Sequence, residues 1–149
     1  MALLQISEPG KSQGPHEKKF FIGIDLGTTN SLVSVMRNGS PFVLKNNQEN
    51  ELFPSIVTYS KNSVTVGDYK SDGESITFRS IKRFVGKNIQ DLKKEEFYSP
   101  CEYFEKNNTI RFRVFDNVLS PIQISSEILK NLKNITEKTL GGEISGCVI

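Results

Sequence analysis

Between Phe20 and Asn30 the chain passes from an unbroken apolar run into a tight polar turn, and no helix-forming stretch follows. Phe20-Phe21-Ile22-Gly23-Ile24 is bounded by turn-forming residues, which predicts a strand buried on both faces, with order beginning at Lys19. That strand delivers the carboxylate of Asp25 at its carboxyl end, and Leu26-Gly27-Thr28-Thr29-Asn30 turns the chain back. A second β-rich run, Ser31 to Met36, leads through Asn38-Gly39 to Pro41-Phe42-Val43-Leu44. Asn-Gly between two such runs predicts a hairpin, because both residues tolerate the positive φ of a type I′ turn. Three consecutive strands argue against a dinucleotide-binding start, where a helix must follow the first glycine-rich turn.

Further along, Leu52 to Tyr59 reads as one strand with its proline near the beginning, where proline is tolerated. A polar turn at Ser60 to Ser63 leads to Val64-Thr65-Val66. From Ile76 to Val85 the apolar positions Ile76, Phe78, Ile81, Phe84 and Val85 are spaced more like a helix than a strand. Ile110, Phe112 and Val114 alternate with Arg111 and Arg113, the pattern of a half-exposed strand, with Lys106-Asn107-Asn108 as the turn before it. Ser120-Pro121-Ile122-Gln123 carries an N-cap serine, a first-turn proline and a capping-box glutamine. Ile124, Ile128, Leu132 and Ile135 continue that helix for about twenty residues, and Gly141-Gly142 supplies the left-handed stop. The final Ile144 to Ile149 begins another strand, which either closes a sheet edge or belongs to something longer; the second is expected.

Composition removes several function classes. The net charge is +2, and Lys and Arg are interleaved with Asp and Glu rather than gathered in a stripe, so nucleic acid is not an expected partner. No apolar stretch approaches the ~20 residues that cross a bilayer, and the amino terminus lacks the basic flank of a signal peptide. Cys101 and Cys147 stand far apart without metal-ligand neighbours and read as reduced thiols, Cys147 as a small core residue. A cytoplasmic protein without membrane contact is expected. Residues 7–18 are polar with two prolines and two glycines, which predicts a flexible tail over 1–18 in which His16 is an exposed imidazole without a function.

The turn after Asp25 carries the most chemistry. Successive turn N–H groups can form a concave anion nest, and adjacent threonine hydroxyls add donors for phosphate oxygens. A carboxylate beside a polyphosphate is repelled unless a divalent cation lies between them, which makes Asp25 a natural metal partner. On residue types alone a second reading stands beside this one: an ordinary hairpin turn with polar filling.

Phe21-Ile22-Gly23-Ile24-Asp25-Leu26-Gly27-Thr28-Thr29-Asn30-Ser31 resembles the first phosphate loop of the heat-shock seventy chaperones almost letter for letter. Sugar kinases of the actin-like ATPase superfamily open with a similar loop, so later segments must decide. Phe53-Pro54-Ser55-Ile56-Val57, Ser80-Ile81-Lys82-Arg83-Phe84-Val85-Gly86-Lys87, the helix through Ile124 to Leu129 and the strand to Ile149 all resemble chaperone segments in order and spacing. The tail, with Pro15-His16 before Lys18-Lys19, is similar to the branch of that family that serves iron–sulfur cluster assembly.

The resemblance implies an α/β fold with a mixed sheet, the first lobe of an actin-like, ribonuclease-H-like ATPase domain. Its core would be residues 19–45 and 121–149, with an α+β insertion at about 46–120 and no substrate-binding domain. It implies ATP or ADP with Mg2+ as cofactors, and a J-domain co-chaperone and an iron–sulfur scaffold protein as partners. Gly27, Thr28, Thr29 and Asn30 would wrap the phosphates, Asp25 would hold the water shell of the magnesium ion, and Lys82 would be catalytic. Judged without its neighbours, Lys82 beside Arg83 is a solvated basic pair on a helix. The family's second phosphate loop and opposite lobe have no counterpart in these residues, so neither efficient ATP hydrolysis nor efficient binding of client peptides is expected of the chain alone. A non-functional remnant and a carbohydrate-kinase fragment are the alternatives.

Overall fold

The computed structural model describes residues 20–46, 49–67, 73–92 and 98–149. The tail at 1–18 with its His16, and Lys19, lie outside the described residues. Phe20–Asp25 (β1), Asn30–Arg37 (β2) and Ser40–Val43 (β3) follow one another as antiparallel neighbours. Asn38 and Gly39, at φ 50° and 78°, make the β2–β3 turn with the positive φ pair expected of them. In β1 the expectation of burial on both faces is wrong. Ile22 and Ile24 face inward opposite Val35 and Val33, but Phe21 is 72% exposed. The strand alternates because the face that carries Phe21 and Met36 meets solvent.

The run from Leu52 to Tyr59 is two strands rather than one. Phe53–Pro54 (β4) pairs with the start of β2, Asn30 opposite Pro54 and Ser31 opposite Phe53. Ile56–Ser60 (β5) then joins Ser63–Val66 (β6) and Ser75–Arg79 (β7) in a separate sheet of order β6-β5-β7. Ser55 stands at the break.

The helical spacing from Ile76 to Val85 is also resolved differently. Ile76 and Phe78 lie on strand β7, Ser80 adopts the left-handed conformation at φ 54°, ψ 32°, and Ile81–Phe84 form a 3-10 turn. A period of two followed by a period of three imitates a helix in the sequence. Ile89–Leu92 (α1) is a single short helix. Tyr103–Lys106 (β8), Thr109–Val114 (β9) and Asn117–Leu119 (β10) make a third sheet of order β10-β9-β8. Asn107 and Asn108, at φ 52° and 57°, turn the β8–β9 hairpin.

Pro121–Leu140 (α2) begins and ends as its sequence predicts. The Ser120 backbone N–H donates to Gln123 Oε1 at 2.8 Å, and the Gln123 N–H donates to Ser120 Oγ at 3.2 Å, a reciprocal capping box. Gly141, at φ 65°, closes the carboxyl end. Ile124, Ile128 and Leu132 are buried, and the helix touches β2, β5, β6, β9, Ile144–Val148 (β11) and the 3-10 turn. It therefore ties the central sheet to the other two, and one apolar core runs through all of them. β11 lies parallel to β1 and completes the order β11-β1-β2-β3, with β4 attached to β2. The expected α/β class with a mixed sheet holds. Cys147 is not a core residue: it is exposed on β11, which pairs only with β1 among the described residues.

Candidate functional site

Asp25, Gly27, Thr28, Thr29 and Asn30 occupy the turn between β1 and β2, and Lys82 reaches the same turn across 56 residues of sequence. Asp25 is the last residue of β1, paired with Leu32, and its side chain is exposed at the strand's carboxyl end. The antiparallel ladder thus fixes where the carboxylate stands relative to the loop behind it.

Gly27 is required by proximity. A Cβ at this position would lie 2.0 Å from the Asn30 carbonyl oxygen and 3.2 Å from its carbonyl carbon. Both are backbone atoms and cannot swing away, so the turn can be this tight only without a side chain.

Three carbonyls of the turn are held by other segments, two of them at the buried Ser55 and one by the exposed Lys82. Lys82 Nζ donates to the Leu26 oxygen at 2.6 Å, Ser55 Oγ donates to the Gly27 oxygen at 3.0 Å, and the Ser55 backbone N–H donates to the Thr29 oxygen at 2.8 Å. A second hydroxyl, Ser31 Oγ, lies 2.9 Å from Ser55 Oγ, and both serines are 1% exposed. In a trans peptide the C=O and N–H point in opposite directions. Holding the carbonyls of Gly27 and Thr29 at Ser55 therefore turns the N–H groups of Thr28 and Asn30 away from it. The outer side of the turn thereby becomes rich in donors, the arrangement an anion needs.

Lys82 owes its position to its neighbours. Ile81 and Phe84 are buried, while Lys82 and Arg83 between them are exposed. Phe84 packs edge-on against Phe112 of β9 with ring centroids 5.3 Å apart. The left-handed Ser80 starts the 3-10 turn that carries the ammonium back to the loop. Lys82 is accordingly on a 3-10 turn rather than an α-helix, and its exposed ammonium is engaged with a carbonyl.

Among the described residues no three metal-ligating side chains come together. Asp25 alone beside a donor-rich turn suits a magnesium ion brought in on a polyphosphate, which keeps most of its waters, better than a resident metal site. A cavity of about 980 Å³ between the tips of the β5–β6 and β9–β10 hairpins is lined by Tyr59, Lys61, Phe115 and Asp116, and by no residue of the loop. It is separate from this site.

The structure brings the six sequence-predicted residues to one turn, and it adds Ser55, which local sequence patterns do not single out. Nothing in local spacing signals hydrogen bonds made across 24 and 28 residues.

The family model described as Hsp70 protein matches residues 21–149. The chain belongs to the Hsp70 family. It is 41% identical over its whole length to proteins named chaperone protein HscA homolog in Pseudoalteromonas atlantica and in Pasteurella multocida, and 43% identical to one in Shewanella baltica. In each case it covers 25% of the relative. The chain therefore spans about a quarter of the length of these curated relatives. Membership in the Hsp70 chaperones sets aside the carbohydrate-kinase alternative, which rested on the first loop only. No helix of the described residues is long and apolar enough to cross a membrane.

Proposed function

We propose that Gly27 to Asn30 form a phosphate cradle for ATP and ADP, within a chaperone of the HscA type that assists the maturation of iron–sulfur proteins. The observation that carries this reading is the inward anchoring of the Gly27 and Thr29 carbonyls at the buried Ser55, which aims the Thr28 and Asn30 N–H groups outward beside a glycine whose Cβ would collide with the Asn30 carbonyl. Gly27, Thr28, Thr29 and Asn30 bind and orient the β- and γ-phosphates. Asp25 holds the water shell of a magnesium ion, which when bound supplies charge neutralisation between carboxylate and phosphate. Lys82 is the catalytic residue. An ammonium has three donors, of which one goes to Leu26, so the others remain to orient an attacking water and to stabilise the transferring phosphoryl.

The chain alone offers one wall of a site. Phosphoryl transfer depends on positioning from both sides of a cleft, so the isolated 149 residues bind nucleotide weakly and do not turn it over. In a protein of the relatives' length the cradle works in an ATP-driven cycle in the cytoplasm, with a J-domain co-chaperone and an iron–sulfur scaffold protein as partners. The 40% range of identity to the HscA homologs over the whole chain supports that branch.

Titration of the 15N-labelled chain with MgADP and MgATP, followed by single-turnover hydrolysis, tests the proposal. Weak binding with shifts confined to the loop amides and no hydrolysis is the expected result. Micromolar ATP affinity with turnover would overturn the half-site reading, and unmoved loop amides would overturn the phosphate cradle.

A further inference from the structure

We propose that Ser55 is the positioning residue of the phosphate cradle, a role that rests on the reading of Gly27 to Asn30 as that cradle. Ser55 makes two bonds to the loop from one residue. Its hydroxyl donates to the Gly27 carbonyl at 3.0 Å and its N–H donates to the Thr29 carbonyl at 2.8 Å. These bonds fix alternate peptide planes, Gly27–Thr28 and Thr29–Asn30, and set the outward direction of both N–H groups. The proton arrangement follows from the inventory of donors. Ser55 has one hydroxyl proton, which goes to Gly27, so the 2.9 Å contact with Ser31 is made by the Ser31 proton donated to Ser55 Oγ.

The protein positions this serine with care. β4 pairs with β2 on one side, at Asn30 and Ser31, and β5 enters another sheet on the other. Ser55 occupies the joint, with its side chain 1% exposed. Its N–H donates to Thr29, one step beyond the Asn30–Pro54 pair in the β2–β4 register. A buried hydroxyl acting as both donor and acceptor has little freedom to reorient, and its partners lose theirs. The cradle is therefore formed in advance, which lowers the ordering cost of binding an anion.

Two neighbouring hydroxyls make a matched test. Ser55→Ala removes the bond to Gly27 together with the Ser31 contact, whereas Ser31→Ala removes the Ser31 contact and leaves Ser55 donating to Gly27. Both variants and the unaltered 15N-labelled chain are titrated with magnesium pyrophosphate, while the Thr28 and Asn30 amides and their order parameters are followed. Ser55→Ala is expected to weaken pyrophosphate binding about tenfold, the equivalent of one lost hydrogen bond, and to lower the order parameter of the Thr28 amide. Ser31→Ala is expected to change the affinity by less than about threefold. If Ser55→Ala does not fold, Ser55→Cys, which keeps a small side chain but donates weakly, is read in the same way. Equal losses in the two variants, or none in Ser55→Ala, would reduce Ser55 to an ordinary buried hydroxyl and overturn the inference. A lack of response in the unaltered chain would instead defeat the cradle reading itself, and the role of Ser55 with it.

Discussion

Lys82 Nζ donates to the carbonyl oxygen of Leu26 at 2.6 Å, joining the 3-10 turn to the loop that follows β1. Both ends of this contact are set by packing elsewhere. Leu26 follows a strand locked between β11 and β2, and Lys82 stands between the buried Ile81 and Phe84. An exposed side chain thus arrives at a defined carbonyl because its neighbours are immobilised.

Removing that ammonium should separate folding from binding. The contact is solvent-exposed, so Lys82→Ala is expected to change stability by no more than about 1 kcal/mol in urea unfolding. Affinity for MgADP should fall about tenfold or more, because the lost charge faces the phosphates. Lys82→Arg should not restore it, since a planar fork cannot replace a compact ammonium with freely rotating donors. Parallel denaturation and titration of the three proteins measure both effects. Equal affinity in all three would show that the Lys82 charge does not face the phosphates of bound nucleotide.

Gly27→Ala should act through backbone collision. The added Cβ meets the Asn30 carbonyl oxygen at 2.0 Å, so the turn must open. A cost of about 1–3 kcal/mol is expected, with loss of the pyrophosphate response. Gly39→Ala is the informative control. Gly39 sits at φ 78° with nothing within 4 Å, so its variant carries only the strain of the left-handed conformation, about 1–2 kcal/mol, and keeps the response. Urea unfolding and the loop amide shifts of both variants check the contrast.

The elements legible in the sequence were those whose signals are local. The Asn38-Gly39 turn, the Ser120–Gln123 capping box and the Gly141 stop each lie within a few residues, and each is where its chemistry predicts. The readings that failed needed information from across the fold. Phe21 resembles a buried residue until one knows which face of the sheet α2 covers, and Ser55 resembles the middle of a strand until β2 takes one half and β6 and β7 the other. In the site, Gly27 was legible as a turn residue. The reason no side chain fits there, the Asn30 carbonyl, was not.

The two thiols should react at different rates. Cys147 is exposed on β11, whereas Cys101 is half-buried, and burial together with the charge of Glu102 pushes its pKa up to about 11. The thiolate is the reactive species, so a rise from 9.0 leaves Cys101 with roughly a hundredth of the ordinary thiolate at pH 8. Iodoacetamide at that pH, read by peptide mass, should modify Cys147 first. Comparable rates at the two sites would show that Cys101 is not shielded as the structure has it.

Alkaline pH should weaken the fold in two overlapping stages. Burial, assisted by Glu127, raises the Tyr59 pKa from 10.0 to about 12, and burial with Glu102 raises that of Cys101 from 9.0 to about 11. Both groups are neutral when protonated, and the folded state favours that form. Their contributions are therefore fully present below the unfolded values, because there neither state is ionised. As pH rises, the unfolded chain ionises first and binds fewer protons than the folded one, so stability falls with pH. The decline should run from about pH 9 to 11 for Cys101 and from about pH 10 to 12 for Tyr59. Since both groups are partly solvated, a shallow slope is expected. Urea midpoints between pH 8 and 12 measure it, and single variants assign it: Cys101→Ser should remove the earlier stage, Tyr59→Phe the later one. A profile that is flat, or unchanged by both substitutions, would contradict the burial of these two side chains.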